Sequence, residues 1–157
     1  MPRIGLISDT PGLLRPEAVA FLRGSALLMH GGDIGSASIL QELAALAPVT
    51  AVRGNNDRDG WADVVPDHAV LEVGERWIYV VHNLAQLAID PVALGVHVVV
   101  SGHSHTPSVH ERRGVLYVNP GSAGPRRFTL PVSVAELLVV GTSVEARVVE
   151  LEVAKPA

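Results

Sequence analysis

The sequence contains no cysteine. That excludes disulfide bridges, thiolate metal sites and a cysteine nucleophile, and it fits a cytoplasmic protein. Aromatic residues are scarce, at 4%, so Val, Leu, Ala and Ile must build the core. Charged residues make up only 18%, with a formal net charge of −4 and a pI near 5.9. This balance argues against a broad nucleic-acid-binding surface, and it leaves room for a small phosphorylated ligand. No apolar run approaches the length that spans a bilayer, so no membrane segment is expected. Met1-Pro2-Arg3 leads directly into the first predicted strand, which leaves no room for a signal peptide.

What is present is a chain of 157 residues with 48% apolar content, enough to bury a sizeable core in a single domain over 1–157. The first third alternates. Strands are predicted at 3–8, 26–30 and 49–53, with helices at 15–23 and from a Ser36 cap to about Leu46. Such alternation implies parallel pairing with right-handed crossovers. After Asp57 the texture changes. A polar, turn-like stretch at 58–67 precedes a hairpin of 69–73 and 76–81 around Gly74-Glu75, a short helix at 90–95 and a buried strand at 96–100. The remainder is mostly β, at 108–112, 115–118, 131–139 and 144–151, with Gly/Pro punctuation at 119–125. Two stacked sheets with helices outside would bury the many Val-rich segments.

Metal-type side chains close several of these apolar runs. Asp9 follows Ile4-Gly5-Leu6-Ile7-Ser8, and Asp33 follows Leu27-Leu28-Met29-His30-Gly31-Gly32. Asn55 and Asp57 lie in Gly54-Asn55-Asn56-Asp57, His82 follows Trp77-Ile78-Tyr79-Val80-Val81, and His103 and His105 close Val98-Val99-Val100-Ser101-Gly102. Loops beyond strand carboxyl ends are where sites assemble in open α/β sheets. Taken singly, Asp9 and Asp33 also suit turns or helix caps, and the Asn-rich segment suits a turn. Two histidines two residues apart both reach one centre if the backbone stays extended. Together these groups form an oxygen-rich, histidine-containing set suited to one or two metal ions, the usual equipment for hydrolysing phosphate esters. A closed structural site would instead use four His and Cys ligands. His30 reads as a satisfied core histidine rather than a supporting group, and His68, His97 and His110 read as surface or packing residues.

In order and spacing these segments resemble the calcineurin-like metallophosphoesterase superfamily, and within it the small single-domain bacterial and archaeal phosphodiesterases. That family carries D-x-H, G-D, G-N-x-D/E, a strand-end His and G-H-x-H. The matching segments here are Asp9-Thr10-Pro11, Gly32-Asp33, Gly54-Asn55-Asn56-Asp57, His82 and Gly102-His103-Ser104-His105. Asn119-Pro120-Gly121-Ser122 is similar to a further segment of the subgroup. The resemblance implies an α/β fold, a four-layer α-β-β-α sandwich of two mixed sheets flanked by helices. It also implies two divalent transition-metal ions, manganese or else nickel, iron or zinc. Asp9, Asp33 and His105 would hold the first ion, Asp33 would bridge to the second, and Asn55, His82 and His103 would complete it. Asp33, Asn55 and His82 are the implied catalytic residues, around a metal-bridging hydroxide that attacks phosphorus in line.

The chain departs from the family pattern in three places. Proline stands at 11, where the His of D-x-H offers a ligand, so the first ion is expected to bind more weakly. Asn56 replaces a histidine that many members place near the leaving group, which removes one general acid. Asn83-Leu84 follows His82, where Gly-His is usual. The expected function is a metal-dependent phosphodiesterase acting on a small phosphate ester, with low activity. The alternative is a degenerate relative that uses the fold to bind a protein partner, as the retromer subunit of this superfamily does. A pure metal-binding or nucleotide-sensing module is a third reading. Arg53, Arg58, Arg126 and Arg127 are candidates for phosphate contacts, and the high apolar content suggests a homodimer.

Overall fold

The computed structural model describes residues 2–125 and 129–153; Arg126 and Arg127 lie outside them. Three parallel strands form one side of the first sheet, from its central strand to one edge: β1 (Arg3–Ile7), β2 (Leu27–His30) and β3 (Val49–Ala51). They are joined by α1 (Pro16–Leu22) and α2 (Ala37–Ala44). Pro16 begins α1, a position where its missing N–H costs nothing. The chain then crosses to a second sheet of β4 (His68–Val73), β5 (Arg76–Val81), β6 (Val98–Val100), β7 (Ser108–Arg112) and β8 (Val115–Asn119). It returns through β9 (Ser133–Val140) and β10 (Ser143–Glu150), which extend the first sheet beside β1. The sheet orders are β10-β9-β1-β2-β3 and β4-β5-β6-β8-β7. Each mixes parallel and antiparallel pairs.

The scarcity of aromatics shows in the core. Between the sheets lie Ile4, Leu6, Met29, Val52, Ile78, Val80, Val98, Val100 and Leu137. The other face of the first sheet packs Ile7 and Leu28 against Ala18 and Leu22 of α1 and Ile39 and Leu43 of α2. The strands β1 and β2 are thus buried on both faces, which is why they read as continuous apolar runs. Burying one such aliphatic side chain is worth about 1.5–3 kcal/mol.

The expected four layers are present, but the fourth is thin. Among the described residues, only a 3-10 turn at Leu84–Gln86 and the four-residue α3 (Pro91–Leu94) lie over the second sheet. Asp90 caps α3 by accepting from Val92 N at 3.1 Å, and Gly95 ends it in a left-handed conformation. This cover leaves Val70, Trp77 and Leu94 exposed. Several details also differ from expectation, among them strands that begin at Val98 and Ser133 and not at 96 and 131. The third strand stops at Ala51, the second helix stops at Ala44, and the stretch 58–67 holds a 3-10 helix at Gly60–Val64. Ser36 occupies the capping position of α2, but its hydroxyl pairs with Ser38 Oγ at 2.9 Å and not with the helix backbone.

Candidate metal centre

The strand ends converge. Asp9 follows β1, Asp33 follows β2, Asn55 follows β3, His82 follows β5, and His103 and His105 follow β6. Ligand atoms of Asp9, Asp33 and His82 lie within 4.8 Å of one another, and all three residues are buried. Asn55 Oδ1 is 3.0 Å from His82 Nε2, and Asp33 Oδ2 is 3.4 Å from the same nitrogen. The His103 ring meets the His82 ring edge-on, with centroids 5.1 Å apart. His105 Nε2 lies 3.4 Å from Asp9 Oδ1. The structure therefore brings all six residues singled out in the sequence into one cluster.

Local backbone strain marks the same positions. Among the described residues, five non-glycine residues have positive φ, and four of them are Asp9 (55°), Asp33 (56°), His103 (70°) and His105 (63°). Each such residue costs on the order of 1–3 kcal/mol, and surrounding structure must impose it. Backbone bonds do so here: Asp9 N donates to Gly32 O at 3.0 Å, and Thr10 N donates to Asp33 O at 2.9 Å. The motif glycines make the close approach possible. A Cβ on Gly54 would strike the Asp33 carboxylate, and one on Gly102 would lie 2.7 Å from Asp9 Oδ2.

Two atoms give a test of fit for a cation. Among the described residues Asp9 Oδ1 is buried and accepts no hydrogen bond, with His105 Nε2 facing it at 3.4 Å, whereas Asp9 Oδ2 accepts from Ser8 Oγ at 2.7 Å and His103 N at 3.2 Å. An unmatched buried carboxylate oxygen is costly unless something positive meets it. His82 supplies the second atom. Its Nδ1 donates to Gly31 O at 2.7 Å, so Nε2 is the nitrogen that faces the Asn55 and Asp33 oxygens. A lone pair, an amide oxygen and a carboxylate oxygen converge stably only with a proton or a cation between them. The donor set fits divalent transition metals, and the carbonyl behind His82 is the usual way of orienting a histidine ligand.

The charges respond accordingly. Burial raises the Asp9 pKa, an effect that the Ser8 hydroxyl and the His105 and His82 charges only partly offset. Burial would also raise Asp33, but contacts with His82 and the Asn56 N–H outweigh it and lower its pKa. His82 would be lowered by burial, yet its hydrogen bonds to Asp33 and Gly31 and the carboxylate charges raise it.

Several supporting residues carry weaker sequence signals. Asp57 accepts backbone N–H bonds from Ile34, Gly35 and Gly54 at 2.9–3.1 Å, which ties the Asp33 loop to the Asn55 loop. Asn56, the departure from the family histidine, donates to Asp33 Oδ1 through its backbone N at 2.9 Å and to Oδ2 through Nδ2 at 3.1 Å. His30 is the satisfied core histidine expected. Its Nδ1 accepts from Gly32 N at 3.0 Å, its Nε2 donates to Thr10 Oγ1 at 2.9 Å, and burial pushes its pKa down to about 3. Asn119 donates to Gly102 O and Ser104 Oγ, both at 3.0 Å, and so braces the G-H-x-H loop. His68 and His110 stack on Tyr79 and Tyr117, and His97 accepts from Trp77 N, all away from the cluster.

Pro11 has a local structural role. Leu13 N donates back to Thr10 O at 2.6 Å, and Gly12 has φ 75°. Pro-Gly at the two central positions, with a positive φ at the second, is the signature of a type II turn. The position that offers a ligand in the family motif thus closes a tight turn behind Asp9.

Two mixed sheets stacked face to face, with carboxylate, carboxamide and imidazole donors gathered at strand ends, define a metallohydrolase type of site. Comparison with known proteins specifies it further. The family model for the calcineurin-like phosphoesterase superfamily domain matches residues 2–141, and the chain belongs to that superfamily. It is 36% identical over 159 residues to a probable metallophosphoesterase of Methanothermobacter thermautotrophicus, covering 93% of this chain and 91% of that one. It is 26% identical over 137 residues to a phosphodiesterase of Methanocaldococcus jannaschii, covering 76% of this chain and 82% of that one. In structure it resembles Vacuolar Protein Sorting 29 from Cryptosporidium parvum, with a TM-score of 0.82 at 23% identity, over 96% of this chain and 92% of the other. Among the described residues no helix is long and apolar enough to cross a membrane.

Proposed function

We propose that the chain is a metal-dependent phosphodiesterase. The observation that carries this reading is the facing of His82 Nε2, Asn55 Oδ1 and Asp33 Oδ2 with no donor among them other than a proton on the ring. Asp9, Asp33 and His105 would hold one ion, and Asp33, Asn55, His82 and His103 a second. When bound, such ions supply Lewis acidity toward phosphoryl oxygens and a nucleophile at neutral pH. The protein's own contribution is positioning. Gly31 O fixes the His82 tautomer, Asp57 holds the two acidic loops together, and a cleft of about 580 Å³ beside Asn55, His82 and His103 admits the ester. Manganese is the proposed metal. The first ion would bind more weakly, because Pro11 brings no donor.

A second reading, a scaffold that binds a protein partner, is favoured by the thin fourth layer, where Trp77 and Leu94 stand exposed. Metal dependence separates the two. Metal-stripped protein is assayed on a chromogenic diester against Mn²⁺ from micromolar to millimolar. The phosphodiesterase reading expects a rate that rises with metal and reaches its plateau only at high concentration. No rate at any Mn²⁺ concentration leaves the scaffold reading standing.

A further inference from the structure

The cleft beside the cluster holds two arginines in different situations. Arg53 is committed to Asp67, with Nε and Nη2 both donating to Oδ1 at 3.1 and 2.9 Å. Arg58 is held by one bond, from Nε to the backbone oxygen of Asn55 at 3.0 Å. Its outer nitrogens have no partner among the described residues, so a guanidinium fork is anchored to a candidate ligand residue and left open toward the cleft. Such a fork matches phosphate oxygens in pairs.

Among the described residues lining the cleft, the two imidazoles, His82 and His103, belong to the proposed metal set, and no other side chain is placed to protonate a leaving group. Asn56 stands where many relatives carry a histidine, and its amide is turned onto Asp33. Of the aspartates lining the cleft, Asp57 accepts backbone N–H bonds, Asp67 holds Arg53, and Asp63 is exposed at the rim. Arginine itself does not give up a proton, since its pKa exceeds about 12. A site with an arginine in place of an acid stabilises a departing anion but does not protonate it. It therefore suits a leaving group that is stable as an anion. An alkoxide is not one, being about as basic as hydroxide (water has a pKa of about 15.7). A phosphate monoester is, because its second pKa lies near about 6.

Resting on the phosphodiesterase reading, we propose that the substrate class is a disubstituted phosphoanhydride and that Arg58 is the residue that grips its departing phosphate. A water oxygen forms the new bond to phosphorus. The bridging P–O bond breaks, and its electron pair stays on the bridging oxygen of the leaving phosphate. Both protons of the water pass to solvent at neutral pH, and two phosphate monoesters result. Arg58 hydrogen-bonds the oxygens on which the charge develops, a type of contact worth about 10²–10³ in rate.

The test compares Mn²⁺-loaded wild type, Arg58→Ala and Arg58→Lys on three probes: dimethyl pyrophosphate, bis-para-nitrophenyl phosphate and a dinucleoside phosphodiester. The wild type should cleave the pyrophosphate and the aryl diester, and the alkyl diester more than about 100-fold more slowly. Arg58→Ala should lose about 100-fold or more in kcat on the pyrophosphate, less on the aryl diester, and Arg58→Lys should recover part of it. Calorimetric titration with inorganic phosphate should show about tenfold weaker binding to Arg58→Ala, with Mn²⁺ stoichiometry unchanged. Equal pyrophosphate kcat and equal phosphate affinity in wild type and Arg58→Ala overturn the proposal. So does a wild type that cleaves either diester but not the pyrophosphate, and that result leaves the phosphodiesterase reading intact. A wild type inert toward all three removes both.

Discussion

The two halves of the candidate centre are built from similar groups and sit in different surroundings. Asp9 and His105 are enclosed, at 0% and 9% exposure, and next to them Pro11 closes a turn. Asn55 and His103 are exposed and border the cleft, with buried His82 behind them. Asp33 lies between the halves and is gripped by Asn56. The enclosed half has a buried carboxylate oxygen that accepts no hydrogen bond among the described residues and faces His105 Nε2 at 3.4 Å, and on the proposed assignment it is short of a donor. The open half has a matched set and access to solvent. On the proposed ligand assignment, enclosure concentrates the electrostatic demand for a cation in the half that offers fewer ligands to hold it.

The largest effect should come from removing the open half. Losing one orienting contact of a ligand commonly costs 10–100-fold in affinity or activity, so His82→Ala should lose more than about 100-fold in diester turnover at saturating Mn²⁺. On the proposed assignment His105→Ala removes a ligand from the half that lacks a donor at Pro11, and should lose only about tenfold at the same metal concentration. The pair is checked by kcat and by Mn²⁺ stoichiometry. Equal losses in the two variants would mean that the halves contribute alike.

Pro11→His is the reverse experiment and should have the next effect. A histidine at the second position of this turn restores a donor beside Asp9 while Gly12 keeps its left-handed φ of 75°. The midpoint of Mn²⁺ activation should move down by about 10–100-fold. An unchanged midpoint would place the limiting ligand elsewhere.

How much of this was legible in the sequence follows from what each residue does. Strand ends were readable because β1, β2, β6 and the second half of β5 are buried and run as mostly apolar segments that end within three residues of Asp9, Asp33, His82 and His103. Their convergence was readable only from several such ends taken together. Asp57 looked like one more turn residue, because its role depends on backbone N–H groups more than 20 positions away in sequence. Pro11 reads as a missing ligand in the family motif, while Pro11-Gly12 is also the local signal of a turn. The thin fourth layer had no signature, since the apolar residues left exposed on β4 and β5 look like core residues in one dimension.

The smallest predicted effect opposes the two carboxylates of the first half in protein stripped of metal. Burial raises the Asp9 pKa, while hydrogen bonds and the histidine charges lower that of Asp33. For Asp9 the folded state holds the proton more tightly than the unfolded one. The stability this gives is lost as pH rises from the ordinary carboxyl value of about 3.9 through the folded value, so at neutral pH the ionised side chain is a burden. For Asp33 the sign is opposite. Its contribution is present above about 3.9 and is lost as pH falls through the folded value. Asp9→Asn keeps an acceptor for Ser8 Oγ and His103 N and should therefore melt about 2–4 °C above wild type at neutral pH, which corresponds to about 1 kcal/mol. Asp33→Asn should melt below wild type by a similar amount; the Asp9 difference should shrink as pH falls toward about 4, whereas the Asp33 difference should persist to about pH 4 and shrink only below it. Adding Mn²⁺ should reverse the first result, because only wild type retains the carboxylate that the ion stabilises. An Asp9→Asn protein that melts lower than wild type without metal would mean that the Asp9 charge is already compensated within the fold, and the case for a cation there would rest on the open half alone.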